Sequence, residues 1–111
     1  MYPPELVAPM RADLDQVGFS QTTSPEAVDA AVNTPGTVLM VLNSVCGCAA
    51  GSMRPGVKKS LQGTDKIPAT LVSAFAGVDQ EAVVRARQYM LPYPPSSPCV
   101  ALFKDGKLMH M

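Results

Sequence analysis

Leu6, Met10, Leu14 and Val17 recur three or four positions apart, so a helix from about Pro4 to Val17 has one apolar face, and Gly18 ends it. Ser24-Pro25-Glu26 reads as an N-cap, a proline at the first helical position and an acid favoured by the helix dipole. It opens a short helix through Val32 that Pro35-Gly36 breaks. The period then changes. Thr37 to Leu42 is a continuous apolar run with β-branched members, the pattern of a strand buried on both faces. Ala49, Ala50, Met53, Val57 and Leu61 return to helical spacing, and Pro55 predicts a kink, because an interior proline loses a backbone bond and clashes with the turn before it. Ala69 to Phe75 reads as a second buried strand that Gly77 ends, and Asp79 as the cap of a helix carrying Val83, Ala86, Tyr89 and Met90. The prolines between Leu91 and Pro98 cannot continue that helix and predict an ordered loop. Cys99 to Phe103 reads as a strand, and Asp105-Gly106 as a two-residue turn into an antiparallel return over Leu108 to Met111.

The order is helix, helix, strand, helix, strand, helix, strand, strand. Two crossovers imply three mutually parallel strands, and the hairpin adds an antiparallel edge, giving an α/β fold with a central mixed sheet flanked by helices. A chain of 111 residues supports one core, so residues 1–111 are read as a single domain with one site. Nine basic residues balance nine acidic ones, so no long-range field gathers a phosphate backbone or anionic lipid, and neither nucleic acid nor membrane is an expected partner. The charged fraction of 16% against 47% apolar residues suits a packed globule. Met1-Tyr2-Pro3-Pro4-Glu5 carries no basic cluster before an apolar stretch, and a cytoplasmic address is the default. Three cysteines are an odd count, which in a reducing compartment suggests reactive or ligand thiols rather than a disulfide framework.

Cys46-Gly47-Cys48 falls where the first buried strand gives way to a helix. Unpaired N–H groups and the positive end of the helix dipole stabilise a thiolate there, and thiolate is the attacking species. Gly47 lets the backbone bend between the two cysteines, and a disulfide closed over one residue is strained and easily reduced. Buried structural thiols are the commoner fate of single cysteines. The sequence strand, cysteine pair, helix is instead the arrangement of thioredoxin-like redox sites and favours catalysis. Metal or iron-sulfur ligation is the remaining alternative, with Cys99 a candidate third ligand to Cys46 and Cys48, although a Cys-X-Cys pair supplies two of the usual four ligands. His110, the one histidine, falls on a terminal strand and reads as solvated.

Ser96-Ser97-Pro98 ahead of a strand that ends in Phe103-Lys104-Asp105-Gly106-Lys107 resembles the thioredoxin segment in which a cis-proline leads into a strand and hairpin. By that resemblance Pro98 is the candidate cis-proline, in a loop that packs on the redox turn and offers backbone groups to an incoming peptide or thiol. The stretch Asn43-Ser44-Val45-Cys46-Gly47-Cys48-Ala49-Ala50-Gly51 with Arg54-Pro55, together with Leu6 to Arg11, Phe75-Ala76-Gly77 and Pro95-Ser96-Ser97-Pro98, is similar to the bacilliredoxins over most of the chain. That resemblance implies removal of bacillithiol from mixed disulfides on cytoplasmic proteins, with disulfide isomerase activity also associated with the family. Cys46 then attacks and Cys48 is the second thiol. Ser97 and Pro98 shape the client groove, and Asn43 and Arg54 are local hydrogen-bonding or electrostatic contributors. No metal or cofactor is implied beyond the small thiol as co-substrate, and the partners are bacillithiolated or disulfide-bonded clients. Cys99 departs from the family pattern, where a non-cysteine residue follows the proline, so a third thiol is placed near the site to resolve or to pack. The family also continues into a further helical segment where this chain stops at Met111. One sheet face is therefore expected to be poorly covered, with a truncated chain or a neighbouring copy as the two explanations.

Overall fold

The unbroken apolar run after Pro35-Gly36 lies at the centre of the computed structural model, which describes residues 3–45, 51, 53–62, 68–91 and 99–110. Four helices and five strands follow in the order α1 (Pro4–Asp15), β1 (Ser20–Gln21), α2 (Pro25–Val32), β2 (Thr37–Asn43), α3 (Arg54–Gln62), β3 (Thr70–Phe75), α4 (Gln80–Tyr89), β4 (Cys99–Lys104) and β5 (Lys107–His110). The strands form one sheet ordered β1-β3-β2-β4-β5. The expected mixed sheet flanked by helices is what forms.

Burial follows the two-residue period of the strands. Val38, Met40 and Leu42 of β2, Val72 and Ala74 of β3, and Cys99, Ala101 and Phe103 of β4 face α2 and α4 in the larger core cluster. Val41 faces the other way, toward Leu14 of α1 and Val57 and Leu61 of α3. Each fully buried aliphatic side chain contributes about 1.5–3 kcal/mol relative to its exposed state, so β2 has its apolar residues stabilised on both faces. Among the described residues α1 and α3 cover this second face, and an apolar groove of about 420 Å³ runs beside α3, with Leu39, Met53, Val57, Leu61 and Val100 in its walls.

Local chemistry sets most boundaries. Ser24 accepts a hydrogen bond from the Ala27 N–H at 3.2 Å and caps α2 as the Ser-Pro-Glu pattern predicts. Asp105 and Gly106 take φ of 50° and 83°, the left-handed pair that a two-residue hairpin turn requires. Gly36 meets that turn from the other side: its carbonyl accepts from the Asp105 N–H at 3.1 Å, and its own N–H donates to Asp105 Oδ1 at 3.0 Å.

Three expectations are corrected. The β4 strand runs antiparallel to β2, with Leu42 opposite Cys99 and Thr37 opposite Lys104. Residues 90–98, at up to ~3.3 Å each, provide enough chain to return to the far end of the sheet, which a short helix-to-strand loop could not. Ser20 and Gln21 form a two-residue parallel strand against Val72 and Ser73 that no periodicity announces. Pro55 is the second residue of α3 and follows π-helical geometry at Gly51 and Met53. Asp79 precedes α4 without a side-chain cap, because its carboxylate accepts instead from Arg11 and from the Phe75 N–H. The predicted loop over 92–98 lies outside the described residues.

Candidate functional site

The β2 strand ends at Asn43 and α3 begins at Arg54, so the Cys46-Gly47-Cys48 segment connects the last buried residue of the central strand to the start of a helix. Cys46, Cys48, Ser97 and Pro98 lie outside the described residues. Asn43, Arg54 and Cys99 are described, and the first two belong to one buried network.

Asn43 is 1% exposed and Arg54 4%. Arg54 Nη1 donates to Asn43 Oδ1 at 2.9 Å and to the Ser44 carbonyl at 2.8 Å. Asn43 Oδ1 also accepts from the Ser44 N–H at 2.9 Å, while its Nδ2 donates to the Met10 carbonyl of α1 at 3.0 Å. Its backbone carbonyl accepts from the Ala76 N–H at 2.9 Å, beyond the end of β3. One asparagine thus gathers the end of β2, the first helix, the β3 exit and the start of α3. Its amide orientation follows from its partners, since Arg54 can only donate and the Met10 carbonyl only accept.

The first α-helical turn of α3, which follows π-helical geometry at Gly51 and Met53, holds no acidic residue to offset the Arg54 charge. Burying an ion costs several kcal/mol unless other groups replace its water. Among the described residues the replacement is two neutral oxygens and Asp13 of α1, whose Oδ2 lies 3.4 Å from Nε. That Nε makes no hydrogen bond. Asp13 is 44% exposed and shares its other oxygen with Lys58 Nζ at 3.4 Å.

A second latch holds α1 to the same end of the sheet. Arg11 binds Asp79 through two hydrogen bonds of 2.9 and 2.8 Å, and its guanidinium lies 5.3 Å from the Phe75 ring centroid. Asp79 Oδ2 accepts from the Phe75 N–H as well, at 2.9 Å. Asn43 and Arg54 were singled out from the sequence, but Arg11 and Asp13 were not. Arg11 and Asp13 are ordinary polar positions on a surface helix, and nothing local marks partners found in distant elements.

Cys99 opens β4 opposite Leu42, at the end of the sheet where β2 leaves for the cysteine segment. Its side chain is buried among α2, α4 and the sheet, with Sγ 3.9 Å from Met90 Sδ. Helix α3 packs on the other face, so β4 directs this sulfur to the side away from α3. Among the described residues no three His, Cys, Asp or Glu side chains converge as a metal site. None of the described helices is long and apolar enough to cross a membrane.

On the α2–α4 side, Asp29 accepts from Arg85 Nε and from the Tyr89 hydroxyl, both at 2.7 Å. The Arg85 bond, then the Tyr89 bond, hold the Asp29 carboxyl below the usual carboxylate value, and the bond to Asp29 raises the Tyr89 phenol. This cluster sits on the helical layer and has no contact with Asn43 or Arg54.

Comparison with known proteins places the chain. The family model described as Disulphide isomerase matches residues 2–111. A bacilliredoxin of Cytophaga hutchinsonii is 62% identical over 110 residues, covering 99% of this chain and 81% of that protein. A bacilliredoxin of Koribacter versatilis is 48% identical over 112 residues, covering 100% of this chain and 77% of that protein. One from Bacillus cereus is 49% identical over 107 residues, 96% of this chain and 74% of its own. Among solved structures, oxidised mitochondrial thioredoxin 3 from Saccharomyces cerevisiae superposes with a TM-score of 0.60 at 17% identity, covering 82% of this chain and 78% of that one. The fold is therefore thioredoxin-like, and the chain belongs to the bacilliredoxin family.

Proposed function

We propose that this protein is a thiol-disulfide oxidoreductase that removes bacillithiol, or a similar low-molecular-weight thiol, from mixed disulfides on cytoplasmic proteins. The observation that carries the reading is the connection of a doubly buried strand to a helix start through Cys46-Gly47-Cys48. Family membership and fold support it.

In the first step Cys46, as thiolate, forms a bond to the sulfur of the small thiol while the mixed-disulfide S–S bond breaks. The client sulfur leaves as thiolate and takes a proton from water. One disulfide has replaced another with no net redox change. In the second step Cys48 attacks Cys46, the small thiol departs, and a Cys46–Cys48 disulfide remains. Two further low-molecular-weight thiols, acting in turn as reductant, return that disulfide to two thiols and leave as their own disulfide. Ser97 and Pro98 shape the client groove. Asn43 and Arg54 act from inside the protein on the segment they enclose. Cys99 packs rather than resolves, and the reaction uses no metal or cofactor.

The test is release of bacillithiol from a bacillithiolated client by the wild type, Cys46→Ser and Cys48→Ser. Cys46→Ser should abolish release, while Cys48→Ser should perform the first step and accumulate the adduct on Cys46. Undiminished release by Cys46→Ser would reject the mechanism. The description of the matching family as a disulphide isomerase favours a second reading, rearrangement of protein disulfides. Refolding of a scrambled substrate at rates above those of mixed-disulfide release would select it.

A further inference from the structure

We propose that Arg54 is a positioning residue of the thiol site, clamping the chain that enters the Cys46-Gly47-Cys48 segment to the helix that leaves it. The inference rests on the exchange reading above and assigns to one buried cation the task of tuning the attacking sulfur.

Connectivity comes first. Ser44 stands two residues before Cys46 and Arg54 six residues after Cys48, and a single guanidinium nitrogen joins Arg54 to both Asn43 Oδ1 and the Ser44 carbonyl, at 2.9 and 2.8 Å. The two ends between which the cysteines run are thereby held in one spacing. Asn43 extends the hold to α1 and to the β3 exit through the Met10 carbonyl and the Ala76 N–H.

Charge comes second. The two arginines at this end of the sheet are used differently. Arg11 spends its charge on a two-bond pair with Asp79. Arg54 directs its hydrogen bonds to neutral oxygens of the chain leading to Cys46, and its nearest carboxylate, Asp13, stands 3.4 Å away without a hydrogen bond to Nε. Asp13 is also half exposed and divided with Lys58, so it offsets Arg54 less than a dry bidentate carboxylate would. Among the described residues the charged groups facing this network are therefore Asp13 from α1 and Lys58 from α3, with Arg11 and Asp79 paired to each other. The balance is positive, and it stands against the Ser44 carbonyl, two residues before Cys46. A net positive charge so close along the chain favours a thiolate.

The experiment follows alkylation of Cys46 by iodoacetamide across pH, read at that residue by peptide mass spectrometry on folded, reduced protein carrying Cys48→Ser. Arg54→Gln should raise the midpoint of reactivity by about one pH unit, slowing alkylation up to about tenfold below it. Arg54→Lys keeps the charge on a shorter head group that does not bring a nitrogen to the place of Nη1, so its midpoint should lie between the two. A merely structural arginine would lower the unfolding temperature and leave the midpoint in place. If Arg54→Gln does not fold, Arg54→Lys decides: a wild-type midpoint in that folded variant overturns the clamp. Midpoints unchanged in both variants, with bacillithiol release abolished by Cys46→Ser, would overturn the proposal while leaving the exchange reading intact. Release that survives Cys46→Ser would sink the exchange reading itself.

Discussion

Replacing Asp79 by Asn keeps the shape of the side chain and an oxygen for the Phe75 N–H, and removes the charge that Arg11 meets. The Arg11 and Asp79 side chains are 15% and 8% exposed, so little water is at hand to replace the lost partner. Breaking a buried pair from one side costs about 3–5 kcal/mol, and the partial access of Arg11 places this case near the lower end, about 3 kcal/mol. At roughly 4 °C per kcal/mol for a domain of this length, the unfolding midpoint should fall by about 12 °C. Arg11→Met should lose about 2 kcal/mol, since its stem still covers the Phe75 ring while the Asp79 carboxylate is left with one backbone donor. The double variant leaves no unpaired charge and should be more stable than the sum of the two losses by at least about 1.5 kcal/mol. Urea denaturation of the four proteins closes the cycle. Additive losses, within about 0.5 kcal/mol, would show that the two side chains do not stabilise each other and that the latch does not hold α1 to the sheet.

Other positions give sharper or simpler outcomes. Phe103→Ala removes a fully buried ring set edge-on to Tyr89 at 6.4 Å, and should destabilise by about 3–5 kcal/mol in the same denaturation assay. Gly106→Ala places a Cβ at φ 83°, 3.4 Å from Asn33 Oδ1, and should lose about 1–2 kcal/mol; an unchanged midpoint would show that the hairpin turn tolerates a side chain. Ser24→Ala removes the α2 cap and should lose about 1 kcal/mol. Asp29 is held below its unfolded value by Arg85 and Tyr89, so its contribution is complete above the ordinary carboxylate value and disappears as pH falls through the lowered folded value. Wild-type and Asp29→Asn stabilities should differ at neutral pH and converge in acid, with a smaller gap at high salt because the group is exposed.

Features written in adjacent residues were legible before any coordinates. Ser24-Pro25-Glu26 announced α2, the run from Thr37 announced a doubly buried strand, and Asp105-Gly106 announced the hairpin. The two residues of β1 were not legible, since they are too few for a period and become a strand only through Val72 and Ser73. The direction of β4 was not legible either: it depends on where the chain returns after α4, whereas an alternating pattern reads the same both ways. Position and motif singled out Asn43 and Arg54 as contributors, but the route to it was hidden. Arg54 resembles any charged residue on a helix until Asn43, eleven positions earlier, and Asp13, in a different helix, are brought against it.

The reciprocal bonds between Gly36 and Asp105 carry a consequence for the opposite end of the sheet. They moor β2 where it begins, at 3.0 and 3.1 Å, just as Asn43 moors it where it finishes. A strand tethered at both extremities cannot slide by one residue, a slip that would turn every side chain to the wrong face and swing Asn43 away from Arg54. The hold on Asn43 and its partner Arg54 is therefore borrowed in part from a hairpin at the far rim, and loosening that rim should be heard at the other.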